Sequence, residues 1–137
     1  MHDQLAIQQV LNAYSEATSR ADWDRVLSLF VPDAVWDVPI HGVKFEGIDA
    51  IREGLIRFSS PMEYIVQLNA PAVIQVNGDT ATSRTAIREC GKYRDRNEGL
   101  EILLIYDDRL TRTPAGWKFA LRVCDVQGMY TFPLEPA

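Results

Sequence analysis

The sequence is poor in the residues that carry metal, redox and nucleophilic chemistry. Its two cysteines, Cys90 and Cys124, stand 34 residues apart with no CxxC pair and no histidine companion, so neither a zinc centre nor a thioredoxin-like site is indicated. Both read as reduced core thiols. Histidine is as scarce, with His2 at the start and His41 the only other. The 14 basic residues against 19 acidic ones form no Lys/Arg cluster, which argues against a nucleic-acid partner, because phosphate-backbone affinity comes largely from basic side chains. No apolar run approaches the ~20 residues that a membrane span requires. The start MHDQLAIQQV lacks the basic region and apolar core of a secretory signal, so the expected address is cytoplasmic. Nothing in the chain asks for a metal, a nucleotide or a flavin.

What is present is an ordinary globular balance. At 137 residues, 47% hydrophobic and 24% charged, the chain is expected to form one domain over residues 1–137, with a core that needs no disulfide or metal. From Asp3 to about Ser19, Leu5, Ile7, Val10, Leu11, Tyr14 and Ala17 recur at helical spacing, with Asp3 in the capping position. A second start signal at Asp22 precedes the stripe Trp23, Val26, Leu27 and Phe30, which Pro32 ends. Residues 34–39 and 43–46 read as a hairpin around His41-Gly42, and Gly47-Ile48-Asp49 opens a third helix from Ala50 to Phe58. Asp22, Asp24 and Asp49 are helix-start residues on this reading.

After Ser59-Ser60-Pro61 the character changes to four β-rich runs, near 63–76, 80–92, 99–112 and 117–131. They are punctuated by Asn77-Gly78-Asp79, by the polar KYRDRNEG and by Thr113-Pro114-Ala115-Gly116. Helices first and long strands afterwards imply an α+β fold, with helices packed on one face of a bent antiparallel sheet.

That order, with Tyr14 eight residues before Asp22-Trp23-Asp24, then LFVPDAVWD, FEGIDAIREGL, VNGDTAT and YDDRLTRTPAGWKFALR, resembles the NTF2-like superfamily. That group includes steroid Δ-isomerases, scytalone dehydratases and SnoaL-type polyketide cyclases. The resemblance covers nearly the whole chain and implies a cone: three N-terminal helices on a strongly bent sheet, with a pocket between the first helix and the concave face. It also implies a homodimer through the convex face. A fold with many activities leaves the function to individual positions.

Dehydratase-type and dehydrochlorinase-type relatives use an Asp near the end of helix one with a His on the first long strand as general base. The matching positions are Ser19 and Gln67, so both members are missing; either side chain can still hydrogen-bond a ligand. In the steroid-isomerase pattern, a Tyr and a protonated Asp hold the developing oxygen and a carboxylate shuttles the proton, an arrangement that is itself a standard illustration of a carboxylic acid kept neutral by an apolar site. Tyr14 matches the first by spacing. Asp108, eight residues before Gly116, matches the second. The shuttle position falls on Val38, and strand alternation sends Trp36 and Val38 to the face opposite Asp37. The Asp-Arg-Asp triad of epoxide-hydrolase members is not reproduced cleanly by Arg84, Arg88, Glu89, Asp108, Arg122 and Asp125, and an epoxide hydrolase-like function is kept as a further alternative to the two readings below.

The candidate catalytic residues are therefore Tyr14, Asp108, Glu89 and His41, with Glu89 or His41 as the proton carrier. Tyr14 fits a core role equally, and Asp108 shares its parity with Ile102, Leu104, Tyr106 and Leu110, where a carboxylate must be paired, protonated or beside water. Ser19, Trp36, Val38, Tyr64, Gln67, Asn69, Tyr106 and Met129 are the expected substrate-binding set. Polar groups on apolar strand faces suggest a lined cavity. Two functions fit: a cofactor-independent lyase, isomerase or cyclase acting on an apolar or aromatic carbonyl or hydroxyl compound, or a non-catalytic ligand-binding or assembly subunit like the small partner of ring-hydroxylating dioxygenases. An ion pair from Asp108 to a nearby arginine in a solid cone would remove the motive for the first; an open pocket with unpaired polar groups would weaken the second.

Overall fold

The computed structural model describes residues 2–135. Helix α1 (His2–Ser19) and the short α2 (Trp23–Ser28) lead into strand β1 (Phe30–Val38), a single 3-10 turn (Pro39–His41), strand β2 (Val43–Glu46) and helix α3 (Ile48–Ser59). Five strands follow: β3 (Met62–Asn69), β4 (Val73–Asn77), β5 (Thr80–Tyr93), β6 (Glu98–Thr113) and β7 (Gly116–Pro133). They form one strongly curled, unclosed sheet in the order β2-β1-β7-β6-β5-β3, with β4 also on β5.

Helix α1 buries Ile7, Leu11, Tyr14 and Ala17, whose spacing keeps them on one face. Burying a side chain of the Ile7 or Leu11 kind is worth about 1.5–3 kcal/mol, so packing on the sheet, more than intrinsic propensity, holds this helix. Asp3 is not its cap. The helix starts at His2, and the Asp3 carboxylate instead accepts two bonds from Arg112, at 2.8 and 2.9 Å, and one from Trp117 Nε1 at 3.2 Å. Asp22 does cap α2, accepting from the Arg25 amide at 3.3 Å. Phe30, expected on the α2 stripe, begins β1 and pairs with Phe119 of β7.

Two features depart from a plain meander. Strand β1 lies parallel to β7, whereas the remaining neighbours are antiparallel. The first β-rich run is divided at residues 70–72: Asn69 faces Ile87 but Val73 faces Arg84, so four steps on one side match three on β5. One extra residue is accommodated there as a bulge, beside Pro71, which has no N–H to donate. The inward parity consequently passes from Gln67 on β3 to Ile74 and Val76 on β4.

The convex face follows from the same register. Leu68 pairs with Arg88 and Arg88 with Leu103, while Val66 pairs with Cys90, Cys90 with Glu101 and Glu101 with Tyr130. Directly paired residues share a face, so exposed Tyr64, Val66, Leu68, Leu103 and Tyr130 lie together around the Arg88–Glu101 pair. Among the described residues, no helix is long and apolar enough to cross a membrane.

Candidate functional site

Between α1, α3, the β1–β2 hairpin and the concave face of β3, β5, β6 and β7 lies a cavity of about 230 Å³. Two local features shape its mouth and upper wall. Alternation along β1 turns Trp36 and Val38 inward and leaves Asp37 outside the lining. The 3-10 turn ends at Gly42, whose φ of 64° suits glycine, and this turn sets exposed His41 and Ile40 at the cavity mouth with Met129 of β7. His41 stacks on Phe58, with ring centroids 5.1 Å apart.

The floor is a tyrosine pair. Tyr14 of α1 and Tyr106 of β6 are 1% and 2% exposed and meet edge to face. Their hydroxyl oxygens are 3.4 Å apart, longer than a strong O–H···O bond, so neither group is well satisfied by the other. Burial pushes Tyr14 up to about 12 and Tyr106 well above its ordinary value. Both remain protonated and able to donate near neutral pH. Burial likewise lifts the Cys124 thiol, also in the lining, to about 11, which keeps it a neutral and poor nucleophile.

One wall carries the carboxylate. Glu89 of β5 is directly opposite Gln67 of β3, and Gln67 Nε2 donates to Glu89 Oε1 at 2.7 Å. Glu89 is half-buried, its open side toward the cavity, and desolvation raises its pKa against the opposing effect of the Gln67 bond. Among the described residues it is the one carboxylate in the lining. Gln67 Oε1, Thr18 Oγ1 and Trp36 Nε1 are buried without a partner, all on residues that line this cavity. Groups left this way are costly unless something meets them, and a bound ligand is one means.

Asp108 does not join that set. Arg122 donates to it through Nε at 2.8 Å and Nη2 at 3.2 Å, and Ser83 Oγ donates at 3.1 Å. With both oxygens accepting, no proton is offered to a ligand, and Asp108 lies outside the lining. Burial raises its pKa, with the guanidinium pulling the other way. The Arg122 guanidinium is 3.7, 4.1 and 4.3 Å from the ring centroids of Tyr106, Tyr14 and Phe119, directly beneath the tyrosine floor. The third member of this group is Ser83 and not a second carboxylate, so an Asp-Arg-Asp arrangement is absent from it.

Three further expectations meet a different geometry. Ser19 Oγ accepts from the Gln67 backbone N–H at 2.8 Å and donates to Ser15 O at 2.8 Å, so its hydroxyl clamps α1 to β3. Asn69 does similar work on the surface, donating to Asn12 at 3.0 Å. Tyr64 is 45% exposed on the convex face. Tyr14, Glu89, His41, Trp36, Val38, Gln67, Tyr106 and Met129 do come together around the cavity. Thr18 was missed, although it follows Tyr14 by one helical turn, the spacing that places two residues on one face. Phe58 and Ser59, where α3 ends, had no comparable signal. Among the described residues, no three His, Cys, Asp or Glu side chains converge as metal ligands would.

Comparison with known proteins agrees with this architecture. A family model for the SnoaL-like domain matches residues 1–123. The chain belongs to the SnoaL-like domain family. An uncharacterised protein of Mycobacterium tuberculosis is 33% identical to this SnoaL-like chain over 126 residues, covering 88% of it and 83% of the relative. A crystal structure from Novosphingobium aromaticivorans, provisionally named an aromatic ring hydroxylase, superposes with a TM-score of 0.87 at 27% identity, over 96% of this chain and 94% of that one. A second protein from that organism, provisionally assigned as a scytalone dehydratase, gives 0.86 at 19% identity over 100% and 95%. The cone of this SnoaL-like protein is therefore the NTF2-like fold.

Proposed function

We propose that this SnoaL-like protein is a cofactor-independent lyase or isomerase that moves a proton on a small apolar or aromatic compound carrying a carbonyl or hydroxyl group. The observation that carries the reading is Glu89: a carboxylate in a largely apolar cavity, with its pKa raised by desolvation, in the lining that also holds two protonated tyrosine hydroxyls. Raising a carboxyl toward neutrality is how a proton carrier is matched to its task. Tyr14 and Tyr106 would hold the substrate oxygen as charge develops on it, with Tyr106 taking the place expected of Asp108. Glu89 would remove the proton and return it, and His41 at the mouth is positioned to exchange protons with solvent. Trp36, Val38 and Met129 would pack the apolar body, and Gln67 would fix the Glu89 carboxyl.

The test begins with a screen of ring ketones, phenols and hydroxylated rings for turnover. On a substrate so found, Glu89→Gln should lower kcat by about 10²- to 10⁴-fold. Tyr14→Phe should lower it by about 10²-fold with KM little changed, as removal of an oxyanion donor does. Glu89→Gln turning over within about threefold of the parent would overturn the assignment, since no proton carrier of that strength is dispensable.

One observation favours a second, non-catalytic reading. The positions of the dehydratase Asp-His dyad hold Ser19 and Gln67, and Ser19 is committed to a structural clamp. A ligand-binding or assembly subunit needs no such base. In either case we propose a homodimer through the convex face, where Tyr64, Val66, Leu68, Leu103 and Tyr130 form an exposed apolar surface.

A further inference from the structure

We propose that Glu89 also acts as a charge filter, so that the cavity takes an uncharged compound of one or two rings and rejects an anion of the same shape. This inference rests on the reading of the cavity as a substrate site and narrows the class of compound it admits. Size sets the first limit. An apolar cavity of ~150 Å³ holds a benzene ring, and the cavity here is about 230 Å³, so a substituted single ring or a fused pair fits inside while a tetracyclic skeleton does not.

Charge sets the second limit. Among the described residues that line the cavity there is no lysine or arginine; the basic side chain is that of His41, exposed at the mouth. The nearest buried cation, Arg122, is turned away by its paired contacts with Asp108, so its charge is matched beneath the floor. Glu89 is left as a carboxylate facing the ligand without a cation beside it, since its partner Gln67 is neutral. A ligand carboxylate or phosphate would give up its water and meet a like charge with nothing to compensate it. A neutral ring meets aromatic and aliphatic walls from Trp36, Phe58 and Leu104, together with the donors of the tyrosine pair.

The test uses 2-naphthamide and 2-naphthoate, which share ring system and shape and differ in charge. Their dissociation constants are measured by titration calorimetry at about pH 8, above the ordinary carboxylate range. Like charges about 8 Å apart, roughly the span of a cavity of this volume, at an effective dielectric near 20 predict that the amide binds about 30-fold more tightly to the parent protein. In Glu89→Gln the ratio should fall below about fivefold, chiefly through tighter binding of the carboxylate; Glu89→Met serves the same purpose if the amide variant does not fold. Equal affinity for both compounds in the parent, or an unchanged ratio in the variant, overturns the filter and leaves the ring site standing. Binding of neither compound overturns the ring site itself and the filter with it.

Discussion

Replacing Asp108 by Asn separates two accounts of that carboxylate, because the structure makes it the counter-charge of Arg122 and not a donor to substrate. Both side chains are almost completely buried, at 1% exposure for each residue, and the guanidinium is enclosed by three aromatic rings. Charge centres about 4 Å apart at an effective dielectric near 20 attract by about 4 kcal/mol. Asn keeps the shape and removes the charge, leaving a buried cation with no anion and one that already has Nη1 unpartnered. Breaking a buried pair in this way costs about 3–5 kcal/mol, against a total stability of about 5–15 kcal/mol for a domain. With a urea m-value of about 2 kcal/mol/M, the unfolding midpoint should fall by about 2 M. The paired variant Asp108→Leu with Arg122→Met should lose less than Asp108→Asn alone, since it leaves no uncompensated charge and strands only the Ser83 hydroxyl. A midpoint shift below about 0.5 M for Asp108→Asn, with turnover sharply reduced, would refute the structural account and restore Asp108 to the site.

Two other outcomes follow from the same structure. Since burial raises the Glu89 pKa in the folded chain, between the ordinary glutamate value and that raised value the folded state holds a proton the unfolded chain has released, so stability falls as pH rises through this window. Glu89→Gln removes that slope; urea midpoints of variant and parent, compared from about pH 4 to neutrality, should diverge as the pH rises above the ordinary glutamate value, the variant becoming the more stable, and parallel curves would contradict it. The neighbouring Tyr14, Tyr106 and Cys124 stay protonated across that range. On the convex face, Leu68 is 59% exposed, and Leu68→Glu should convert the proposed dimer to monomer by light scattering, with the unfolding midpoint at high dilution unchanged; a parent that is monomeric at all concentrations would end the dimer proposal.

Much of the cone was legible because alternation is a local property. Ile102, Leu104, Tyr106, Asp108 and Leu110 share a parity in the sequence and an inner face in β6, and Trp36 and Val38 turn inward as their spacing requires. Bulges were not legible. With Thr113 opposite Gly116, the turn alone would place Asp108 opposite Leu121, but the register shifts by one residue between Arg109 and Leu110, and Arg122 becomes its partner. That single extra residue decides whether the carboxylate is paired with a cation or with a leucine. The parallel contact of β1 with β7 was equally hidden, since it joins residues far apart in the chain. Ser19 was misplaced for a simpler reason: five residues beyond Tyr14 a helix has turned past the cavity toward β3, whereas Thr18 at four residues has not.

The exchange at position 67 bears on how a site without the dyad can work. A histidine or lysine opposite Glu89 would place a cation beside the carboxylate and hold it ionised at ordinary pKa, as opposite charges do. Gln67 orients the same oxygen through one 2.7 Å bond but brings no charge, so desolvation prevails and the pKa of Glu89 rises. A carboxyl poised nearer neutrality can both take and return a proton within one turnover, which isomerisation and many eliminations require. The neutral partner thus makes Glu89 the stronger base, and the Ser19 clamp on the Gln67 amide fixes the strand that presents it. Two positions, Ser19 and Gln67, depart from the dyad, and of these it is Gln67 whose neutral side chain lets desolvation set the pKa of Glu89.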